Sequence, residues 1–274
     1  MTTRTSFSGR VAVVTGAGSG IGRALVRRLA AAGAEVAASD VSGAAARSTA
    51  DSCGDLAGRV RGYELDVADR EAIHKHADQV RDDFGRVDLV VNNAGVALRS
   101  AVRDMTDEDL NWIMDINFWG VVHGSRAFLP HLEESGGHLV NVSSVFGFVG
   151  VPTQSAYNAS KFAVRGFTEA LRQEVLAEGS KMRVSVVHPG GVRTNIARSA
   201  RGIGAGERDR LAGVFERIAR TTPEGAARTI VNGIERNRPR ILIGPDAYFF
   251  DALPRVLGPA YQQLVARVAG RLVQ

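Results

Sequence analysis

Apolar positions along this chain fall into two kinds of run. Short continuous ones, such as V-A-V-V-T at 11–15, have no polar face and read as strands buried on both sides. Longer stretches space their apolar residues three and four apart, as Ile21, Leu25 and Leu29 do after that first strand. Further strands are predicted at 35–39, 60–65, 87–91, 138–142, 183–187 and 240–243. Helical patterns lie near 69–84, 106–134, 154–178 and 223–237. Strands alternating with helices predict βαβ units and a parallel sheet covered by helices on both faces, an α/β doubly wound fold.

No internal repeat or low-complexity linker divides the chain. One domain is expected over 1–245. The Arg- and Gly-rich segment 195–220 has no strand signal and reads as an insertion within it. The tail 246–274 extends past the last strand and is expected to be helical. Beyond Pro259, Tyr261, Leu264, Val265, Val268 and Leu272 share one helical face, and Phe249, Phe250, Leu253, Val256 and Leu257 add to it. So much apolar surface predicts packing on protein, on the chain's own rim or on a neighbouring subunit. The alternative is a helix lying on a membrane surface, with arginines flanking the apolar face.

Composition narrows the picture further. Of 274 residues 45% are hydrophobic and 23% charged, enough for a full core, which excludes disorder as the overall state. Cys53 is the only cysteine, so no disulfide can form within the chain and a reducing compartment is expected. The first ten residues contain no apolar secretory core, and no apolar run reaches the roughly 18 residues of a membrane span. Cytoplasm is therefore the expected location, and the sequons at Asn141 and Asn158 are read as coincidental. The net charge is +5, with +7 from residue 193 onward and −2 before it. That excess is dispersed and lacks interleaved aromatics, so it reads as a solvated arginine-rich surface and not as a nucleic-acid site.

The first strand runs into T-G-A-G-S-G-I-G at 15–22. Glycines at Gly16, Gly20 and Gly22 let the backbone turn tightly and approach a pyrophosphate, and the next helix begins with free N–H groups and a positive dipole end. This register departs from the strict G-x-G-x-x-G fingerprint, but its place between strand and helix points to dinucleotide binding. Asp40 ends the second strand, 18 residues after Gly22. A carboxylate there accepts ribose hydroxyls and repels a 2′-phosphate, and neither Ser19 nor Val41 offers a compensating cation. NAD is thus expected over NADP.

Only three lysines and four tyrosines are present, yet Tyr157 and Lys161 stand four apart, on one helical face. A nearby ammonium favours the phenolate and tunes a tyrosine for acid–base work. Ser144 follows the strand H-L-V-N-V, at the sheet edge where such folds bind ligands. Asn117 is a polar residue inside an apolar helical pattern.

Together T-G-A-G-S-G-I-G, N-N-A-G (92–95), Asn117, Ser144, Y-N-A-S-K (157–161) and P-G-G-V-R-T (189–194) resemble the short-chain dehydrogenase/reductases of the non-extended branch, over about residues 8–244. The resemblance implies a seven-stranded Rossmann sheet and a catalytic set of Asn117, Ser144, Tyr157 and Lys161. Tyr157 would be the acid/base and Ser144 would bond the substrate oxygen, with Ser143 its less favoured neighbour. Lys161 would hold the nicotinamide ribose, and Asn117 a water linking that lysine to solvent. Cofactor contacts would come from Gly16, Ser19, Gly20, Ile21, Gly22, Asp40, Asp66, Val67, Asn93, Ala94, Gly95, Tyr157, Lys161, Pro189, Gly190, Val192 and Thr194. Val145 and Phe146, with Ser144 and Tyr157, would face the substrate, and 195–220 would be a lid. Homodimers or homotetramers through the helices near 106–134 and 154–178 are also implied.

The expected function is hydride transfer between NAD and a hydrophobic secondary alcohol or ketone, because the apolar stretch 145–151 borders the substrate by the family's geometry. The rivals are a catalytically silent dinucleotide-binding regulator and a membrane-surface protein. No metal site is expected: His74 and His76 point to different faces of a helix. His188 reads as structural or near the nicotinamide, and Cys53 is assigned no role.

Overall fold

A computed structural model describes residues 7–196, 198–204 and 219–273, with 206 and 213. Seven strands form one parallel sheet in the order β3-β2-β1-β4-β5-β6-β7. They are β1 (Val11–Thr15), β2 (Glu35–Asp40), β3 (Val60–Glu64), β4 (Leu89–Asn92), β5 (His138–Val142), β6 (Arg183–Pro189) and β7 (Arg240–Ile243). Every residue of β1, β4 and β5 is buried, as the unbroken apolar runs require. The strand order reverses between β1 and β4, so their C-terminal ends open a crevice.

Helices α1 (Gly20–Ala31), α2 (Gly43–Asp51), α3 (Arg70–Phe84), α4 (Asp107–Met114), α5 (Gly120–Ser135), α6 (Ser155–Ala177) and α7 (Pro223–Glu235) cover the sheet. One face packs Leu25, Leu29 and Ile230 against Val14, Val91 and Val187. The other packs Ile73, Val80, Phe128 and Leu132 against Val13, Val90 and Leu139. The extension is two helices, α8 (Pro245–Leu257) and α9 (Tyr261–Val273), joined by a 3₁₀ turn at Gly258–Ala260.

Two elements differ from the sequence expectation. Helix α2 was not among the helical patterns; Ser42 caps it, and its buried positions include Ala46 and Thr49, too small to show a strong apolar period. The single pattern at 106–134 is interrupted by a π-helical turn, Asp115–Trp119, that separates α4 from α5.

Candidate active site

At the C-terminal end of β1, Thr15 ties the two sides of the crevice together. Its Oγ1 accepts the backbone N–H groups of Asn93 and Ala94, each at 3.0 Å. The Asn93 amide donates back to the Thr15 carbonyl at 2.8 Å. Gly16 has φ +64°, and a Cβ on Gly22 would lie 2.1 Å from the Gly16 oxygen, so both positions demand glycine. Ser19 precedes α1 with no side-chain cap, and Ile21 continues its first turn.

Asp40 reaches back over this loop. Its carboxylate accepts the Gly18 N–H and the Ser42 N–H, each at 2.9 Å. Arg23, which the sequence reading passed over, anchors the same loop: its guanidinium donates to the Gly18 carbonyl and to Thr49. After β3, Asp66 accepts the Ala68 N–H at 2.9 Å, and Val67 is buried against Gly120.

The π turn places Asn117 in the interior, fully buried. Its Oδ1 accepts the Val96 N–H at 2.8 Å, and its Nδ2 donates to the Val96 carbonyl and to Ser160. Protein groups therefore engage both ends of this amide, and only a second Oδ1 lone pair remains for the water expected there. Asn117 Oδ1 and Lys161 Nζ converge on Gly95, where a Cβ would meet them at 3.1 and 3.4 Å.

On the first two turns of α6, Tyr157 and Lys161 share a face. The Ser144 side chain stands beside the Tyr157 phenol and favours its ionised form, and Phe146 meets the Tyr157 ring edge-on at 5.9 Å. Ser144 Oγ also accepts the Phe146 N–H at 3.1 Å. Ser143 donates to the Lys161 carbonyl at 2.7 Å, which commits its hydroxyl to holding α6. Lys161 Nζ donates to the Val142 carbonyl at 3.1 Å and lies 5.8 Å from the Tyr157 ring centre.

The electrostatics correct one expectation. Burial raises the Tyr157 phenol above its ordinary value, opposed by the Ser144 side chain. Burial also lowers Lys161 to about 8. Burial is thus the larger influence on Tyr157 and sets the direction of its shift, opposite to the lowering expected from the lysine.

On β6, His188 Nδ1–H donates to the Ser144 carbonyl at 2.9 Å and its ring stacks on Phe148. From Pro189 the chain turns out of β6: Gly190 N–H donates to Ile243, Val192 bridges to Thr221, and Thr194 packs beside Gly20. Val145 is buried at the start of the following 3₁₀ turn. Half of the expected lid at 195–220 lies outside the described residues. At its described edge, Arg201 pairs its backbone with Ala97 and Arg99 and sets its guanidinium 3.8 Å over the Trp112 ring.

The sequence model of the short chain dehydrogenase family matches residues 10–202. The chain belongs to the short-chain dehydrogenase/reductase family. The Mycobacterium tuberculosis protein SadH, named as an oxidoreductase, is 49% identical over 263 residues, 95% of each chain. A match of that span includes α8 of the extension. The 3-oxoacyl-[acyl-carrier-protein] reductase FabG of Thermotoga maritima is 37% identical over 189 residues, 69% of this chain and 76% of that protein. Among solved structures, a short-chain dehydrogenase/reductase from Burkholderia phymatum in complex with NAD has a TM-score of 0.85 at 30% identity, covering 92% of this chain and 94% of that one. The chain is thus an oxidoreductase of this family with its Rossmann-type fold.

Proposed function

We propose that this chain is an NAD-dependent dehydrogenase/reductase acting on a hydrophobic secondary alcohol or ketone, with Tyr157 as acid/base. The observation that carries this reading is the gathering of Ser144, Tyr157 and the buried Lys161 at the sheet's C-terminal edge, with Lys161 Nζ 5.8 Å from the Tyr157 ring centre. The residues present suit a nicotinamide dinucleotide: an uncapped helix start with a glycine cradle, and a carboxylate oriented by two backbone amides. In this reading Gly16, Ser19, Gly20, Ile21 and Gly22 hold the pyrophosphate and Asp40 the adenosine ribose. Asp66 and Val67 face the adenine, and Asn93, Ala94 and Gly95 line the adenosine side. Lys161 and Tyr157 hold the nicotinamide ribose, beside Pro189, Gly190, Val192 and Thr194.

When bound, the nicotinamide supplies the hydride acceptor or donor. Ser144 orients the substrate oxygen toward Tyr157. Tyr157 accepts the alcohol proton in oxidation and returns it in reduction. Lys161, anchored on Val142, stabilises the phenolate, and Asn117 braces Val96 and Ser160 around it. Phe146 and Val145 wall the substrate side with apolar surface, which favours a hydrophobic alcohol.

Replacing Tyr157 with Phe removes only the phenolic oxygen, so turnover should vanish while NAD still binds. Lys161→Ala should damage both turnover and cofactor affinity. More than a few per cent of activity retained in Tyr157→Phe would exclude this mechanism. A turnover screen of NAD reduction over secondary alcohols separates the enzyme from a silent dinucleotide-binding regulator.

A further inference from the structure

The C-terminal extension touches both loops that flank the proposed reaction centre. At its start, the Asp246 carboxylate accepts the Gly191 N–H at 2.6 Å. The fit is close: a Cβ on Gly190 would lie 2.2 to 2.3 Å from three atoms of that carboxylate. Gly244, at φ +87°, makes the turn that delivers Asp246 to this place, and the Gly190 N–H is taken by Ile243 at the end of β7. The exit from β6 is thus held by two successive amides, one on a strand and one on the first turn of α8.

Farther along, the extension covers the outer side of the loop after Ser144. Phe250, Leu253, Tyr261 and Val265 pack on Phe148, Val149 and Val151. The Tyr261 hydroxyl accepts the Gly150 N–H at 3.3 Å. The inner side of that loop carries Phe146, edge-on to Tyr157. A second brace, Asp251 to Arg240, fixes α8 to β7 at 2.8 Å.

We propose that the extension is part of the active site, with Asp246 a positioning residue for loop 189–194 and Tyr261 one for the substrate loop. This rests on the assignment of loop 189–194 to the nicotinamide made above. A charge-assisted bond to a backbone N–H is short and strong, and it holds the peptide at Gly191 in one orientation. Without it, the loop keeps its strand attachment at Gly190 and loses the anchor beyond it. Ordering that loop then falls to the dinucleotide, which weakens its binding.

The test compares the full chain with Asp246→Ala, Asp246→Asn and Tyr261→Phe. Amide hydrogen exchange of the 189–194 segment, measured without nucleotide, should speed up at least about tenfold in Asp246→Ala. NADH affinity by fluorescence titration should fall roughly tenfold in the same variant. Asp246→Asn, whose amide oxygen still accepts, should restore most of both. Tyr261→Phe should leave NADH affinity unchanged and raise KM for a bulky secondary alcohol two- to threefold, roughly the worth of one neutral hydrogen bond. Unchanged exchange and NADH affinity in Asp246→Ala, with the parent binding NADH, would overturn the proposal alone. A parent chain that binds no NADH would overturn both the proposal and the cofactor reading.

Discussion

Burial pushes Tyr157 and Lys161 toward their neutral forms, and the pH dependence of the reaction follows from that. Oxidation needs the phenolate as proton acceptor, and a phenol raised above its ordinary value is protonated at neutral pH. Efficiency of alcohol oxidation should therefore climb with pH from neutrality and level off or fall above about 8, where Lys161 loses the charge that stabilises the phenolate, while ketone reduction stays flat over neutral pH. Initial rates in both directions check this; a flat oxidation profile would remove Tyr157 as acceptor. Asp40 sets a second residue-level outcome. Its oxygens already face the glycine loop, so a 2′-phosphate would meet a like charge. Arg23 is committed to Gly18 and Thr49, and Arg47 lies on α2 beside Gly43. NAD should be preferred by at least about 100-fold in catalytic efficiency, about 2.7 kcal/mol. Asp40→Ala combined with Val41→Arg should narrow or reverse that ratio; equal efficiency in the parent would show that Asp40 does not face the ribose.

At the scale of elements, buried histidines join strands to their neighbours. His76 on α3 bonds Ser39 on β2, and His138 on β5 bonds Ser185 on β6, both at 2.7 Å. His188 closes β6 onto the Ser144 carbonyl. Burial lowers His76 and His188 to about 4 and His138 to about 3, from an ordinary value of 6.5. Above 6.5 each is neutral whether folded or unfolded, so their contribution is then fully present. As pH falls below that value the unfolded chain takes up protons that the folded chain refuses, and stability drops. Each histidine costs on the order of 3 kcal/mol by pH 4. Thermal unfolding followed across this range should show a steep fall in Tm. His138→Gln, which keeps a hydrogen-bonding side chain and cannot titrate, should flatten it; an unaltered slope would assign the acid sensitivity elsewhere.

Considered as a whole, the molecule buries only part of the apolar surface of its extension. Phe250, Leu253 and Val265 face protein, while Phe249 is 55% and Val256 79% exposed. Part of the expected apolar face, Phe250, Leu253, Tyr261 and Val265, packs on the chain's own loop after Ser144; Val268 and Leu272 lie outside the residues whose side chains are described. The exposed remainder keeps the membrane-surface alternative testable. No helix among the described residues is long and apolar enough to cross a membrane. Sedimentation with anionic liposomes should leave the full chain in the supernatant if the tail serves only the active site. Cosedimentation lost on truncation at 245 would establish a surface-binding role. Trp119 and Phe162 are also exposed, near the start of α5 and on α6, which supports self-association there. Light scattering should then give a dimer or tetramer mass that Phe162→Glu reduces.

Local pattern determined the strands, most helices and the Tyr157–Lys161 pair, because each rests on spacing within one element. Continuous burial marks a parallel strand, and a four-residue step puts Tyr157 and Lys161 on one face, whatever lies elsewhere. Strand and motif together also located Ser144, Asp40 and the glycine loop. Tertiary structure decided what depends on distant partners. Asp246 meets Gly191 across 55 residues and Tyr261 meets Gly150 across 111, separations that leave no local periodicity to read. The π turn around Asn117 is an extra residue absorbed by packing on Val96 and Ser160, and nothing in an apolar repeat encodes it. The upward shift of Tyr157 likewise comes from burial by distant elements around a partly buried ring. A sequence shows the lysine four residues away, but only the folded chain shows that Lys161 is buried and that burial outweighs the other influences on Tyr157.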